Sequence, residues 1–289
     1  MCTGHVFYSM LDLSQPPNGN MECTSGAGSR ISAIMYVTCI LLVSVSMATG
    51  AAGNAGCGDD VDNFLKYKTF ERSEVPYKEP LGLTLKATFG MGCFWGVEAS
   101  FGALPGVVRV KAGYTGGTLP NPNYRMLGDH TEAVEIEFDP SQTNFAQLLK
   151  TFWSDHDPTE LNKAQYMSAI FYQDKVQHHQ AEGSLQKEQT RRGESSKIAT
   201  KILPAGKFYD AEDYHQKYFL RQHHALVESL ELKDADFLSS SRTSRLLGYM
   251  SGSGDIEAFN TEVESLALSA SQADFMRLLI QNKDGGTCH

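Results

Sequence analysis

The stretch from Leu83 to Leu104 constrains the fold most, because its pattern changes from strand to helix across one short turn. Residues 83–89 (LTLKATF) are rich in β-formers and predict a strand, which Gly90-Met91-Gly92 ends. From Cys93 onwards apolar side chains recur at helical spacing. The sequence therefore predicts a strand, a tight turn and a helix, with a cysteine where the helix begins.

Strand and helix patterns continue to alternate beyond this unit. The segment 133–138 places apolar residues on one face and Glu135 and Glu137 on the other, which indicates a half-buried strand. Further strands are predicted over 107–114, 168–172 and 198–203, and helices around 145–152, 174–190 and 212–220. This mixed order predicts one α+β domain with helices packed on a sheet.

Four regions follow from these patterns. Residues 1–52 form a leader with an apolar segment, and 53–82 form a linker. The α+β domain occupies 83–222, and a helical C-terminal extension with a Gly-rich tail that contains Cys288 occupies 223–289.

The leader carries an almost wholly apolar run from Ala33 to Val43. That length suits a signal peptide better than a membrane span, which needs about 20 apolar residues. A cleaved signal, with a cleavage site such as that after Ala48, predicts a secreted protein. An uncleaved anchor predicts a membrane-attached one. An organelle presequence, or a start at Met21 or Met35, predicts a mitochondrial or cytoplasmic location.

The composition limits the kinds of molecule that the protein is expected to bind. The chain has 289 residues and a net charge of −9, which argues against a nucleic-acid partner because phosphates repel an acidic surface. Two histidine pairs, His178-His179 and His223-His224, resemble chelates, but adjacent residues on a helix diverge by about 100°. We expect them on solvated helix surfaces, and we expect neither a metal nor a cofactor.

The six cysteines fall into two groups. Three lie in the leader: Cys2, Cys23 and Cys39. The others, Cys57, Cys93 and Cys288, are odd in number and too widely spaced for a disulfide scaffold or a CxxC metal site. An unpaired thiol is a reason to look for reactivity.

Cys93 lies where a thiolate is favoured, since unpaired N–H groups and the dipole at a helix start lower a thiol pKa. The flanking glycines allow close approach of a substrate, and Phe94 and Trp95 add aromatic surface. A buried, inert cysteine followed by core aromatics fits the local sequence equally well.

Five further motifs accompany Gly92-Cys93-Phe94-Trp95-Gly96 in the same order as in one family. They are 112–117 (AGYTGG), 121–125 (NPNYR), 130–134 (HTEAV), 165–170 (QYMSAI) and 211–218 (AEDYHQKY). Together they resemble the class A peptide methionine sulfoxide reductases, over roughly residues 84–218. The fold we expect is a two-layer sandwich of a mixed sheet and packed helices around a ferredoxin-like core.

The resemblance implies a role for each site residue. Cys93 would be the nucleophile that attacks sulfur and becomes a sulfenic acid, and Glu132 would be the general acid. Tyr124 and Tyr166 would bind or protonate the sulfoxide oxygen. Phe94 and Trp95 would line a pocket for the methyl group. The class implies the S epimer, free or in oxidised proteins, and hence protein repair.

The resemblance also implies a second cysteine that resolves the sulfenic acid. Cys288 is favoured, because the family places its recycling cysteine in a Gly-rich C-terminal segment. Cys57 and direct reduction by an external thiol remain alternatives. Thioredoxin or another dithiol would be the reductant. We expect a monomer, with membrane contact only if the leader is retained.

Two features set the chain apart from the common family pattern. The segment between Tyr124 and Glu132 is short, and residues 161–164 (LNKA) lack a substrate-binding aspartate, for which Asp157, Glu160 or Asn162 could substitute. Two other functions remain open: another thiol oxidoreductase, such as a peroxidase, or a non-catalytic binding module on the same scaffold. A peroxidase has no need of the acid and the methyl pocket.

Overall fold

The structure is a computed structural model that describes residues 69–285, with side chains up to residue 282. These residues belong to one compact unit. The predicted leader, most of the predicted linker, and both candidate resolving cysteines (Cys57 and Cys288) lie outside the described residues.

A six-stranded mixed sheet forms the centre of the unit. Its strands are β1 (Leu85–Met91), β2 (Val107–Thr115), β3 (Thr131–Phe138), β4 (Ser168–Tyr172), β5 (Lys201–Pro204) and β6 (Tyr209–Asp210), in the order β5-β4-β1-β3-β2-β6. All pairs are antiparallel except β4–β5. The inner order 4-1-3-2 is the split βαβ arrangement of a ferredoxin-like core, so the predicted α+β fold is confirmed.

Three helices connect these strands: α1 (Phe94–Gly102), α2 (Phe145–Ser154) and α3 (Lys175–Arg192). Asn144 and Asp174 are the N-cap residues of α2 and α3, and each accepts a backbone N–H with its side chain. Alternate residues of β1 and β3, among them Phe89 and Ile136, form the core with Phe101 and Phe152 of the helices. The predicted inward face of β3 is therefore the face that meets the helices.

The helix predicted over 212–220 is wrong. A 3₁₀ turn, Asp213–His215, is followed by Lys217 in a left-handed conformation (φ 53°, ψ 44°) and then by the short helix α4 (Tyr218–Arg221). At this break, the side chains of His215 and Lys217 hydrogen-bond to distant parts of the domain.

The chain after α4 is helical in its described part. It forms α5 (His224–Ser229), α6 (Asp234–Ser239), α7 (Ser241–Ser251), α8 (Ile256–Glu262) and α9 (Ala270–Gly285). These helices share a second hydrophobic core. Ala99 of α1 and Ala103, which follows α1, also belong to this core. His223 is half-buried and its ring lies 5.6 Å from that of Phe275, so the expected solvated surface is wrong for this histidine.

The described end of the predicted linker lies against these helices. Glu79 Oε2 accepts the backbone N–H of Ser241 (3.0 Å), and Glu71 N donates to Ser271 Oγ (3.1 Å). Between residues 69 and 285, no helix has the length and apolar character that crossing a bilayer requires.

Candidate active site

The turn before α1 sets the position of Cys93. Gly92 has a φ of +91°, a left-handed conformation that favours glycine. Cys93 then takes the N-cap position of α1, with extended dihedrals (φ −61°, ψ 117°), so it precedes the first helical residue. Its thiol is free and exposed.

The predicted lowering of the Cys93 pKa is wrong. Loss of hydration beside the surrounding protein is the main cause that raises the thiol pKa, to about 11, and the nearby Glu132 raises it further. Backbone N–H groups of Trp95 and Gly96 oppose this rise, as expected of a helix start, but they do not outweigh it. The resting group is therefore a thiol at the open edge of the site.

Glu132 lies at the start of β3, on the face of the sheet that meets the helices. Only 1% of the residue is exposed. Its Oε2 accepts the backbone N–H of Phe94 (3.1 Å), and its Oε1 accepts Nε2–H of Gln165 (2.9 Å). Burial raises the Glu132 pKa to about 7, although both hydrogen bonds and the charge of Lys163 lower it. The carboxyl group is thus poised to be protonated near neutral pH.

Two tyrosines complete this polar part of the site. Gln165 Nε2 donates to the Tyr166 hydroxyl (3.0 Å), and Tyr166 also hydrogen-bonds with Tyr124. Burial, and then the charge of Glu132, raise the Tyr166 pKa, which keeps the hydroxyl protonated. Tyr124 is 37% exposed, so it forms the outer edge of the group.

Aromatic rings form a wall beside this polar group. Trp95 stacks on Tyr218 with the ring centroids 3.7 Å apart and an interplanar angle of 5°. Phe94 is buried, and its ring lies 5.0 Å from that of His215, which is also 4.7 Å from the Tyr124 ring. An exposed thiol, a buried acid and an aromatic wall therefore lie together.

His215 holds this wall in place. Its Nδ1 accepts the indole N–H of Trp95 (3.0 Å), so the remaining proton of the neutral ring is on Nε2. Burial lowers the His215 pKa to about 4, against the opposite effect of Glu212, and the ring stays neutral. Glu212 in turn accepts the Tyr114 hydroxyl (2.8 Å) and the backbone N–H of Tyr124 (2.9 Å).

A cation lies near the polar group, in the segment that lacks the expected aspartate. Lys163 Nζ lies 5.5 Å from the centroid of the Tyr166 ring. The proposed substitutes have other contacts: Asp157 accepts the Thr159 hydroxyl (2.7 Å), and Glu160 accepts Nδ2–H of Asn162 (3.2 Å). The structure thus gives this edge of the site a positive charge.

Among the described residues, no group of three or more His, Cys, Asp or Glu side chains is arranged to hold a metal ion.

The family model described as "Peptide methionine sulfoxide reductase" matches residues 85–245, more than half of the chain. The chain belongs to this family. A peptide methionine sulfoxide reductase of Drosophila melanogaster is 42% identical over 201 residues, which are 69% of this chain and 81% of the relative. Peptide methionine sulfoxide reductase A5 of Oryza sativa is 36% identical over 236 residues, 77% of this chain and 87% of the relative.

Among solved structures, methionine sulfoxide reductase A of Corynebacterium diphtheriae is 32% identical, with a TM-score of 0.47. The match covers 53% of this chain and 82% of that chain.

Three residues of this candidate site lay inside the motifs, but sequence reasoning gave them no role. Gln165 joins the acid to Tyr166, Glu212 joins Tyr114 to the Tyr124 backbone, and Tyr218 stacks on Trp95. The motifs that contain these residues were the available sequence signal. Their partners could not be read from the sequence, because each pair is separated by many residues or depends on the side-chain rotamer.

Proposed function

We propose that this member of the family reduces the S epimer of methionine sulfoxide, free or in proteins, with Cys93 as nucleophile and Glu132 as acid. One observation carries the proposal: a carboxyl group that is 1% exposed, with a pKa raised to about 7, adjoins an exposed thiol. A buried carboxylic acid that can donate a proton near neutral pH is what an oxygen-protonating step requires.

Both groups hold protons near neutral pH, so the reaction needs a paired proton transfer. Glu132 gives its proton to the sulfoxide oxygen, and the thiol proton of Cys93 passes to the carboxylate that forms. The Cys93 sulfur attacks the substrate sulfur and forms a bond to it. The protonated oxygen then passes from the substrate sulfur to the Cys93 sulfur: the substrate sulfur–oxygen bond and the sulfur–sulfur bond break, a Cys93 sulfur–oxygen bond forms, and methionine leaves with Cys93 as a sulfenic acid. Methionine sulfoxide is reduced by two electrons, and the thiol is oxidised by two.

The two sides of the site suit the two ends of the sulfoxide group. The methyl group fits against the wall of Phe94 and Trp95, in which Trp95 is only partly buried and the ring of Phe94 is packed in the core. Glu132, Tyr124 and Tyr166 supply hydroxyl or carboxyl donors for the oxygen. A site that separates methyl from oxygen in this way distinguishes the two epimers, because exchanging them would bury the oxygen among rings.

The second half of the cycle requires another thiol. The Cys288 thiol would attack the sulfenic sulfur, forming a disulfide with Cys93 and releasing water. Thioredoxin or another dithiol would then reduce this disulfide. Cys57 is the second candidate for the resolving thiol, and we expect the protein to act as a monomer.

The sulfenic acid can be tested by trapping. Cys288→Ser protein, given methionine S-sulfoxide without reductant, should form one methionine per protein and then carry a dimedone adduct on Cys93, seen by mass spectrometry. Thioredoxin-driven cycling should be lost while the first turnover remains. Undiminished cycling in Cys288→Ser would reject Cys288 as the resolving thiol, and failure of the first turnover in the wild type would reject the function.

A further inference from the structure

A fully buried ion pair joins α1 to the segment that carries His215 and Tyr218. Lys217 Nζ lies 2.6 Å from Glu98 Oε1, and both side chains are 0% exposed. The backbone N–H of Lys217 also donates to Glu98 Oε2 (2.7 Å). Glu98 is therefore held at both carboxylate oxygens by a single residue.

The same ammonium group reaches the C-terminal helices. Lys217 Nζ donates to the Val110 carbonyl of β2 (2.6 Å) and to the Phe237 carbonyl in α6 (2.9 Å). An ammonium has three donors, and these three acceptors from α1, β2 and α6 match them. Lys217 is thus a junction between the site helix, the sheet and the C-terminal extension.

Lys217 lies directly between the two residues that hold Trp95. His215 accepts the indole N–H and Tyr218 stacks on the indole ring, two residues before and one residue after Lys217. Lys217 adopts a φ of +53°, which is unfavourable for a residue with a β-carbon, so this turn needs support from its surroundings. The ion pair supplies that support.

We propose that Glu98 and Lys217 are positioning residues, through which the α6 end of the extension fixes the Trp95 wall of the substrate pocket. A buried ion pair is in general a weak source of stability, and an apolar pair of similar volume often replaces it without loss. Its contribution here is geometric: it orients His215 at the N–H edge and Tyr218 on the face of one indole.

The test compares ion-pair replacement with a matched control, in full-length protein that carries Trp153→Phe so that Trp95 is the remaining tryptophan. The test variant is Glu98→Leu with Lys217→Met. The control is Arg245→Met with Glu262→Leu. Arg245 also joins the extension to the segment that follows α1, through the Leu104 carbonyl (2.7 Å), and it bonds Glu262 (2.9 Å) without contacting the aromatic wall.

In the test variant, we expect KM for a methionine-sulfoxide peptide to rise about tenfold while the saturated single-turnover rate changes less than about threefold, because the wall binds substrate without reacting. Acrylamide should quench Trp95 fluorescence more strongly. The control should lose thermal stability but keep its KM and Trp95 quenching.

A folded test variant with the parent's KM and Trp95 quenching would overturn the proposal. If that variant does not fold, Glu98→Gln decides, because it keeps the size of the side chain but replaces one of the two oxygens that accept from Lys217 with an amide group. A higher KM and stronger quenching in Glu98→Gln would support the proposal, and unchanged values would reject it. The KM comparison rests on the proposed function, whereas the quenching of Trp95 does not. An inactive parent protein would therefore reject the proposed function, and the quenching would still decide the positioning proposal.

Discussion

At the scale of single residues, the site holds protons on two groups that ordinarily lose them at lower pH. Burial raises the Glu132 pKa to about 7, and loss of hydration raises the Cys93 pKa to about 11. Near neutral pH the thiol is protonated and the acid is partly so. The reaction then depends on Glu132 giving up one proton as it receives another.

This arrangement predicts a pH profile. Because Glu132 acts in its protonated form, the single-turnover rate should be high below its pKa of about 7 and fall as pH rises through that value. Glu132→Gln should lower the rate by about 10²- to 10⁴-fold and remove this limb. A Glu132→Gln variant with the wild-type profile would show that another group is the acid.

A second prediction concerns Lys163. Its charge lowers the Glu132 pKa, so Lys163→Ala should raise that pKa and move the falling limb of the rate profile to higher pH. Lys150→Ala changes an exposed lysine on α2 and should leave the limb where it is. A shift to lower pH in Lys163→Ala, or equal shifts in both variants, would contradict this account.

Some features of single residues could be predicted from the sequence and others could not. Motif order indicated Cys93 and Glu132, and the structure brings them together. The thiol pKa was predicted in the wrong direction, because the helix start is a local feature whereas desolvation and the Glu132 charge come from the tertiary environment. The position of Lys163 over Tyr166 likewise depends on a tertiary contact.

At the scale of elements, the β1–α1 turn fixes the nucleophile. Gly92→Ala would place a β-carbon in open space but at a φ of +91°, so the cost is backbone strain of about 1–2 kcal/mol. We expect a lower melting temperature and slower Cys93 oxidation in single-turnover assays.

A matched substitution separates the effect of backbone strain from the effect of the added methyl group. Gly183 lies within α3, also with open space around it and without a positive φ, so Gly183→Ala should stabilise the protein by about 0.5–1 kcal/mol. Equal effects of the two substitutions on stability would refute the strain argument.

Patterning predicted most of these elements, because periodicity depends mainly on burial of one face. It placed α1 and β3 to within two residues. It mistook 212–220 for one helix, since apolar spacing gives no sign that Lys217 turns inward to Glu98. It also missed β6, whose two residues are too few to show a pattern.

At the scale of the whole molecule, the C-terminal helices pack on the back of the site helix. A β-carbon on Gly248 of α7 would lie 2.0 Å from the backbone nitrogen of Ala103, so the two chain segments cross without side chains between them. Ser244 of α7 also accepts the backbone N–H of Val110 (3.1 Å), in the part of the β2 edge that β6 leaves unpaired.

This packing predicts one cooperative unfolding unit. Gly248→Ala should destabilise the protein by about 3 kcal/mol through overpacking against backbone, whereas Gly206→Ala, which has open space, should change little. Urea unfolding followed by far-ultraviolet circular dichroism and by tryptophan fluorescence should give coincident transitions. Separate transitions would mean that the extension folds independently of the sheet.

The central claim is that Cys93 and Glu132 reduce the S epimer of methionine sulfoxide. The most direct measurement incubates wild-type protein and Cys93→Ser with the separated S and R sulfoxides of a blocked methionine, using dithiothreitol as reductant, and quantifies the methionine formed. The account predicts turnover of the S epimer by the wild type alone. Turnover of neither epimer, preference for R, or full activity in Cys93→Ser would contradict it.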